Sequence, residues 1–386
     1  MPVGDHALLS ASSAHRWLYC PMLPHLEAAY PNRDTIYTRE GTHAHELSEI
    51  KLQYKSGKIK KREFNKKLKE FKENADFYNE EMEEMTELYT DIVMEHFNSY
   101  ENADIELEKR VDFSDWVPDG FGTSDVVILS EGVIEIIDLK YGKGMPVSAH
   151  QNPQMGLYAL GAYAAYDLLY DFDKIRMTIV QPRLDSVSTV EIFVEELLYW
   201  ADNVVLPAAA QAYEGMGDWN LSDKVLKWSP VAAKLVPRAA ANWEIVDKYI
   251  DKIYLDDEDV KDILDHASEI RKWLDDVEAD ALKQALAGKE VLGYKLVEGR
   301  SNRLITDKEA AATILKENGF EDIYKPQELL AMGALEKKVG KAAFAELLSE
   351  YIDKPQGKPV LVPESDKRPA MNSLEQAIKE FEDENL

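Results

Sequence analysis

The chain has 386 residues, 45% of them apolar and 10% aromatic, enough for a substantial core and more than one ordinary domain. Forty-five basic residues against 72 acidic ones leave a net charge of −27. That balance excludes indiscriminate coating of nucleic acid, but it leaves room for a basic groove on an acidic body and for a carboxylate metal site.

The single cysteine, Cys20, excludes a disulfide within the chain and any all-cysteine cluster or zinc site. No stretch approaches the ~18 apolar residues of a membrane span. The N-terminus MPVGDHALLSASSAHRW has neither the basic start nor the apolar run of a signal peptide. A soluble, cytoplasmic protein without membrane partners is expected.

In chain order, Ser10, Ser12 and Ser13 suit a helix start, and that first helical stretch ends at Cys20-Pro21. Residues 41–56 read as a helix with Leu47, Ile50 and Tyr54 on one face. Residues 55–72 carry nine Lys/Arg against two Glu, and 75–99 read as an amphipathic helix. The period then changes. Over 104–113, Ile105, Leu107, Val111 and Phe113 alternate with Glu106, Glu108, Arg110 and Asp112. Residues 122–129 and 133–140 are short runs rich in β-branched side chains, separated by the tight turn Ser130-Glu131-Gly132. A helix is expected over 151–170 and strands over 174–181 and 188–194. After about residue 195 the pattern is mostly helical, with a long charged helix over 256–288. A strand pair is expected over 291–305, short helices over 306–350, and an extended Pro- and Lys-rich segment over 351–370.

Asp125 and Asp138-Leu139-Lys140 are the strongest chemical signal. Asp138 and Lys140 are two apart on a strand and share a face. If the two runs pair as a hairpin, Asp125 approaches that face. Two carboxylates suit a hard cation such as Mg²⁺, and a lysine beside them can position a water and stabilise charge. Alone, such a triplet is commonly surface charge. On the helix over 41–56, His45 and Glu49 are neighbours off the apolar face. On the helix over 151–170, Gln151, Gln154 and Tyr158 form one polar stripe. The bland alternatives are a surface histidine and a buried polar pair. His43 and His45 with Cys20 hint at zinc, but no fourth ligand is evident.

The order of these motifs resembles the RecB-like nucleases of the PD-(D/E)XK superfamily. Gly41-Thr42-His43-Ala44-His45 matches G-x-x-x-H on a helix, and Gly122-Thr123-Ser124-Asp125 matches G-x-x-D on a strand. Asp138-Leu139-Lys140 matches (D/E)-x-K on the next strand, and Gln154 to Tyr158 matches Q-x-x-x-Y on the following helix. More narrowly, LSASSAHRWLYCP, EGTHAHELSE, GYKLVEGRSNR and KPQGKPVLVPESDKRPA resemble the phage and prophage family of domain-of-unknown-function 2800 type.

The resemblance implies an α/β restriction-endonuclease-like core, a mixed sheet flanked by helices, with a mostly helical C-terminal region. It puts the core at 1–245, with a partly basic helical insertion over 55–100, and the C-terminal region at 246–386. It implies that His45, Asp125, Asp138 and the Leu139 carbonyl bind Mg²⁺, with Mn²⁺ able to substitute. Lys140 would be catalytic, and Gln154 and Tyr158 would order the site or touch DNA. The implied activity is a DNA exonuclease of phage recombination or replication, beside a single-strand annealing protein and as a possible homo-oligomer. The rivals are a catalytically silent DNA-binding or assembly protein that keeps the fold, and a structural phage protein. Lys60, Lys61, Arg62, Lys66 and Lys67 are candidates to track a DNA backbone, or else a solvated helix. Arg183, Arg300 and Arg303 are candidates for phosphate contact, or else strand-end cations. Many RecB-like relatives hold a four-cysteine iron–sulfur cluster. Here Cys20 stands at the early position, but Leu226, Ser229 and Leu235 stand at the other three. No cluster is expected, and packing by Leu226 and Leu235 should replace that tie.

Overall fold

The computed structural model describes residues 7–30 and 35–295, with residues 297 and 340 besides. Arg300 and Arg303, most of the strand pair expected over 291–305, and the expected short helices and extended segment beyond lie outside the described residues. The described start of that pair, 291–295, forms a turn.

Five strands form one mixed sheet in the order β1 (Asp104–Asp112), β2 (Phe121–Ser130), β3 (Gly132–Leu139), β4 (Phe172–Gln181) and β5 (Ser186–Phe193). β1, β2 and β3 run antiparallel as a meander. β3 and β4 are parallel, so the chain must cross over between them, and β5 returns antiparallel to β4. Helices cover both faces. Before the sheet come α1 (Ala14–Trp17), α2 (Leu23–Glu27), α3 (Ile36–Lys55), α4 (Lys61–Asn74) and α5 (Glu80–Ser99). The crossover is α6 (Pro153–Tyr166). After the sheet come α7 (Val194–Trp200), a π-turn (Ala201–Val205), α8 (Leu206–Glu214), α9 (Asp223–Leu226), α10 (Val236–Asp247) and α11 (Asp257–Leu286). The protein is therefore α/β, with a mixed five-stranded sheet flanked by helices.

Local chemistry sets the helix starts. The Thr35 hydroxyl accepts the Thr38 N–H at 3.1 Å, so α3 begins at Ile36, five residues ahead of the expected Gly41. Asn79 caps α5 through Met82 N–H, and Glu80, Glu81 and Glu83 in the first turn suit the helix dipole. Asn152 accepts both Gln154 N–H and Met155 N–H, with Pro153 at the first helical position of α6. Gln151 therefore stays outside that helix, in a left-handed turn with φ 52°, and the expected polar stripe begins only at Gln154.

Two cores sit on opposite faces of the sheet. One joins Leu47, Ile50 and Leu52 of α3, Phe71, and Tyr89 and Val93 of α5 to Ile105, Val126, Ile128, Ile137 and Leu139. The other joins Leu9, Ala11 and Trp17 and the apolar length of α6 to Val127, Leu129, Ile134 and Ile136. The alternation expected over 104–113 does not hold to one face. Ile105 and Leu107 belong to the first core, Val111 and Phe113 to the second, and left-handed Glu108 lies between them. In the sheet, Glu135 is fully buried, but His96 at 2.7 Å, Tyr100 at 2.8 Å and Thr178 at 3.0 Å satisfy its carboxylate.

The chain divides into two compact units, Met1–Lys283 and Gln284–Leu386. Residues 246–283, expected in the C-terminal region, pack with the first unit. α11 is held through Arg238–Asp276 at 2.7 Å, Lys234–Asp280 at 3.1 Å and Lys272–Asp223 at 2.7 Å. No helix among the described residues is long and apolar enough to cross a membrane.

Candidate metal centre

The site forms where regular pairing around β2 gives way. The β2–β3 ladder ends with Val126 opposite Ile137. On the other side, Leu107 pairs with Val126 and Lys109 with Ser124, which leaves Glu108 facing Asp125 outside the ladder. Glu108 takes φ 46°, a left-handed conformation unfavourable for a glutamate. Beyond the end of the β2–β3 ladder, the Leu139 N–H donates to Asp125 Oδ2 at 2.8 Å. α3 supplies His45 from one face, with Nδ1 3.2 Å from Asp125 Oδ1. Ligand atoms of His45, Glu108 and Asp125 all lie within 4.8 Å of one another.

α6 supplies the other half of the site. Lys140 Nζ lies 2.9 Å from Asp138 Oδ2 and donates to Gln154 Oε1 at 3.0 Å. Gln154 Nε2 donates to Tyr158 OH at 3.1 Å and, more weakly, to Asp138 Oδ1 at 3.4 Å. The amide thus satisfies a cation with its oxygen, and a carboxylate and a phenol with its nitrogen.

The charges act on one another strongly. Burial works against a charged His45, but the Asp125 carboxylate outweighs it and holds the imidazole up at about 9. Burial would raise Asp125, yet the His45 charge and the Leu139 N–H keep it below the usual carboxylate range. Asp138 moves the other way: burial raises it, with the Asp125 charge adding and Lys140 opposing. Glu108 is pushed up to about 7, first by desolvation and then by Asp125. Burial disfavours the Lys140 ammonium, but Asp138 outweighs it and the group is raised. One imidazole nitrogen and two carboxylates match what a small divalent cation takes, provided the imidazole is neutral when it binds. Tyr89, on α5, fits the same picture. It is 1% exposed, its hydroxyl has no hydrogen-bond partner among the described residues, and the charges of Asp125, Asp138 and Glu108 reach it.

The expected residues His45, Asp125, Asp138, Lys140, Gln154 and Tyr158 therefore come together. One detail differs from expectation. Glu108 completes the closest ligand group, while Asp138 is engaged by Lys140 and Gln154. The Leu139 N–H, next to Asp138 in the chain, meets Asp125.

The family model described as "Protein of unknown function (DUF2800)" matches residues 6–369. The chain belongs to this family. The crystal structure of SSO0001 is also similar, at 14% sequence identity and a TM-score of 0.24, over 56% of this chain and 92% of that one.

Other expected residues of this DUF2800 chain are placed differently. Arg183 is not a free strand-end cation. Its side chain is only 8% exposed, held by Glu40 at 3.1 Å and Glu81 at 3.0 Å, over the Tyr141 ring. It ties α3 and α5 to the end of β4, because a guanidinium can serve two carboxylates and a ring at once. In the basic run, Lys60, Lys61, Arg62 and Lys66 are exposed around α4. Lys66 pairs loosely with Glu70 at 3.6 Å, while half-buried Lys67 donates to Gln53 at 2.8 Å and faces α3 rather than solvent. His43 packs on Phe71 and Phe77, whereas Cys20 lies in a separate cluster, so the zinc set of Cys20, His43 and His45 is not assembled. That separate cluster joins Cys20 to Leu23, Leu226 and Leu235, and Ser229 is buried as well. Apolar packing ties the two ends of the fold there, as expected.

Proposed function

We propose that this chain is a metal-dependent deoxyribonuclease with a RecB-like PD-(D/E)XK core, acting from DNA ends rather than at specific internal sequences. The observation that carries this reading is the meeting of His45, Glu108 and Asp125 beside the linked set Asp138, Lys140, Gln154 and Tyr158. A divalent cation held by the first three would supply Lewis acidity toward a phosphodiester.

The chain's own groups do the rest. Lys140 has three N–H donors, and Asp138 and Gln154 occupy two. The third is available to a phosphoryl oxygen as its charge grows. Gln154 and Tyr158 hold the ammonium and the Asp138 carboxylate in place. As the oxygen of the attacking water bonds to phosphorus, one of its protons passes to a carboxylate of this cluster, and Asp138 beside Lys140 is the acceptor the geometry offers. The bond from phosphorus to the departing sugar oxygen breaks, and that oxygen takes a proton from solvent. The single-strand annealing partner and the homo-oligomer belong to the same proposal.

Digestion of end-labelled single-stranded and duplex DNA tests the reading. Mg²⁺ or Mn²⁺ should support cleavage and EDTA should stop it. Full cleavage in EDTA contradicts the mechanism. Binding without cleavage on every DNA tried would favour a silent DNA-binding protein on the same fold.

A further inference from the structure

A second feature of the first unit lies outside this chemistry. A cavity of about 500 Å³ opens beside the N-terminal segment, walled by Ser10, Ser12, Ser13, Arg16, Glu27 and Trp228. Its volume lies in the range of small-molecule pockets. The Ser10 hydroxyl lies 2.8 Å from that of Ser13 and 3.3 Å from that of Ser12, so the three line one wall as a group. Arg16 and Glu27 pair at 3.0 Å, which leaves the interior nearly neutral. Glu27 Oε1 is buried and has no hydrogen-bond partner among the described residues, so an acceptor stands ready there. Trp228, by contrast, is 70% exposed.

The N-terminal segment that walls the cavity packs against α6, the helix that carries Gln154 and Tyr158. A Cβ built on Gly122 would lie 2.7 Å from the Tyr158 ring and 3.7 Å from Ala11 Cβ. Ala11, at the start of the serine turn, therefore shares a core with Tyr158, the last member of the Lys140–Gln154–Tyr158 chain. Next to Trp228 in the chain, Lys227 has its Nζ 5.4 Å from the centre of the Trp228 ring and 3.3 Å from Met145 Sδ. Met145 lies between Lys140 and α6 and is 70% exposed. Lys227, and Lys224 over Tyr19, have no carboxylate partner among the described residues, as is also true of Lys109 over Tyr166. A cation over an exposed aromatic ring with no carboxylate against it can receive negative charge from outside.

We infer that this groove takes an unpaired stretch of the DNA strand, one base stacked on Trp228 and its phosphates passing Lys227 toward the metal centre. An exposed aromatic face, a free cation and hydroxyl donors are the elements of single-strand binding, because every base has a face to stack and every link a charge. The near-neutral interior suits a base better than a phosphate, and Glu27 Oε1 can accept a base amino hydrogen. The inference rests on the proposed function for the identity of the strand and for its direction toward the site.

Binding is measured on the full-length protein in EDTA, by anisotropy of a short fluorescein-labelled oligodeoxyadenylate. Trp228→Ala should weaken binding by about 5- to 150-fold, the loss of one base–aromatic stack, and Trp228→Phe should recover most of it. Lys227→Ala should reduce the salt slope by about 0.7. A closed, end-less duplex should bind the parent and Trp228→Ala alike. Failure of the parent to bind the oligonucleotide, or equal binding by parent and Trp228→Ala, overturns the inference. If binding depends on Trp228 but the parent never cuts DNA, the inference stands and the nuclease reading falls. If the parent cuts but Trp228→Ala binds unchanged, the inference falls and the nuclease reading stands.

Discussion

Lys140→Ala is expected to slow single-turnover DNA cleavage by about 10²–10³-fold, the usual effect of removing one preorganised donor from developing transition-state charge. The lysine touches Asp138 and Gln154 but belongs to no part of the His45–Glu108–Asp125 group. Divalent-ion affinity, and DNA binding measured in Ca²⁺, should therefore change little. The substitution leaves buried Asp138 without its cation, and some stability goes with it; the carboxyl can take a proton rather than stay charged. Lys140→Gln keeps a donor toward Asp138 and controls for that loss. It should fold as well as the parent and cleave as poorly as Lys140→Ala. Asp138→Asn should also lose most cleavage, because it removes the proton acceptor and a negative charge from the same cluster. Parental cleavage rates in all three variants would show that the cluster is not the reacting site.

Glu108→Gly is expected to do two opposite things. It removes a carboxylate from the proposed cation group, so ion affinity should fall by more than the roughly 10–100-fold seen when residues that merely orient ligands are lost. It also relieves a strained backbone. A left-handed conformation costs an ordinary residue about 1–2 kcal/mol, and glycine escapes that cost while losing somewhat more freedom on folding. Relief of the repulsion between Glu108 and Asp125 adds to the gain. The ion-free protein should therefore become more stable by about 1 kcal/mol, a melting shift of roughly 2–4 °C. Glu108→Gln separates the two effects, since it loses the charge but keeps the left-handed backbone. Calorimetric ion titration and thermal melts read both. Unchanged affinity in the two variants would remove Glu108 from the centre. Such a trade, local strain held where ligands converge, is the pattern expected of a functional site.

Much of this arrangement was legible in the sequence, and the parts that were not share a cause. Helix and strand order followed from the change of hydrophobic period between 41–99 and 104–140, because each period reflects one buried face. Spacing put Asp138 and Lys140 on one face and Gln154 and Tyr158 on one stripe, but His45, Asp125 and the set as a whole stood out through the order of their motifs, which resembles that of the RecB-like nucleases. Glu108 did not. It reads as a solvent-facing position in an alternating strand, and no residue type at 108 announces a left-handed turn; only the register that sets it opposite Asp125 reveals it. The same local twist explains why Ile105 and Leu107 part company from Val111 and Phe113. Tyr89 was hidden for the complementary reason, as an aromatic on the apolar face of α5 whose hydroxyl alone reaches the polar centre. Arg183 looked available because its partners Glu40 and Glu81 lie on helices more than a hundred residues earlier. Long-range pairing of that kind leaves no periodic trace.

Anomalous diffraction from crystals of the parent soaked in Mn²⁺ is the most direct test of the metal centre. A single strong peak bounded by His45, Glu108 and Asp125, beside Asp138, is the result expected. Ordered density for those side chains with no manganese peak among them, under conditions in which the same protein cleaves DNA, would contradict it.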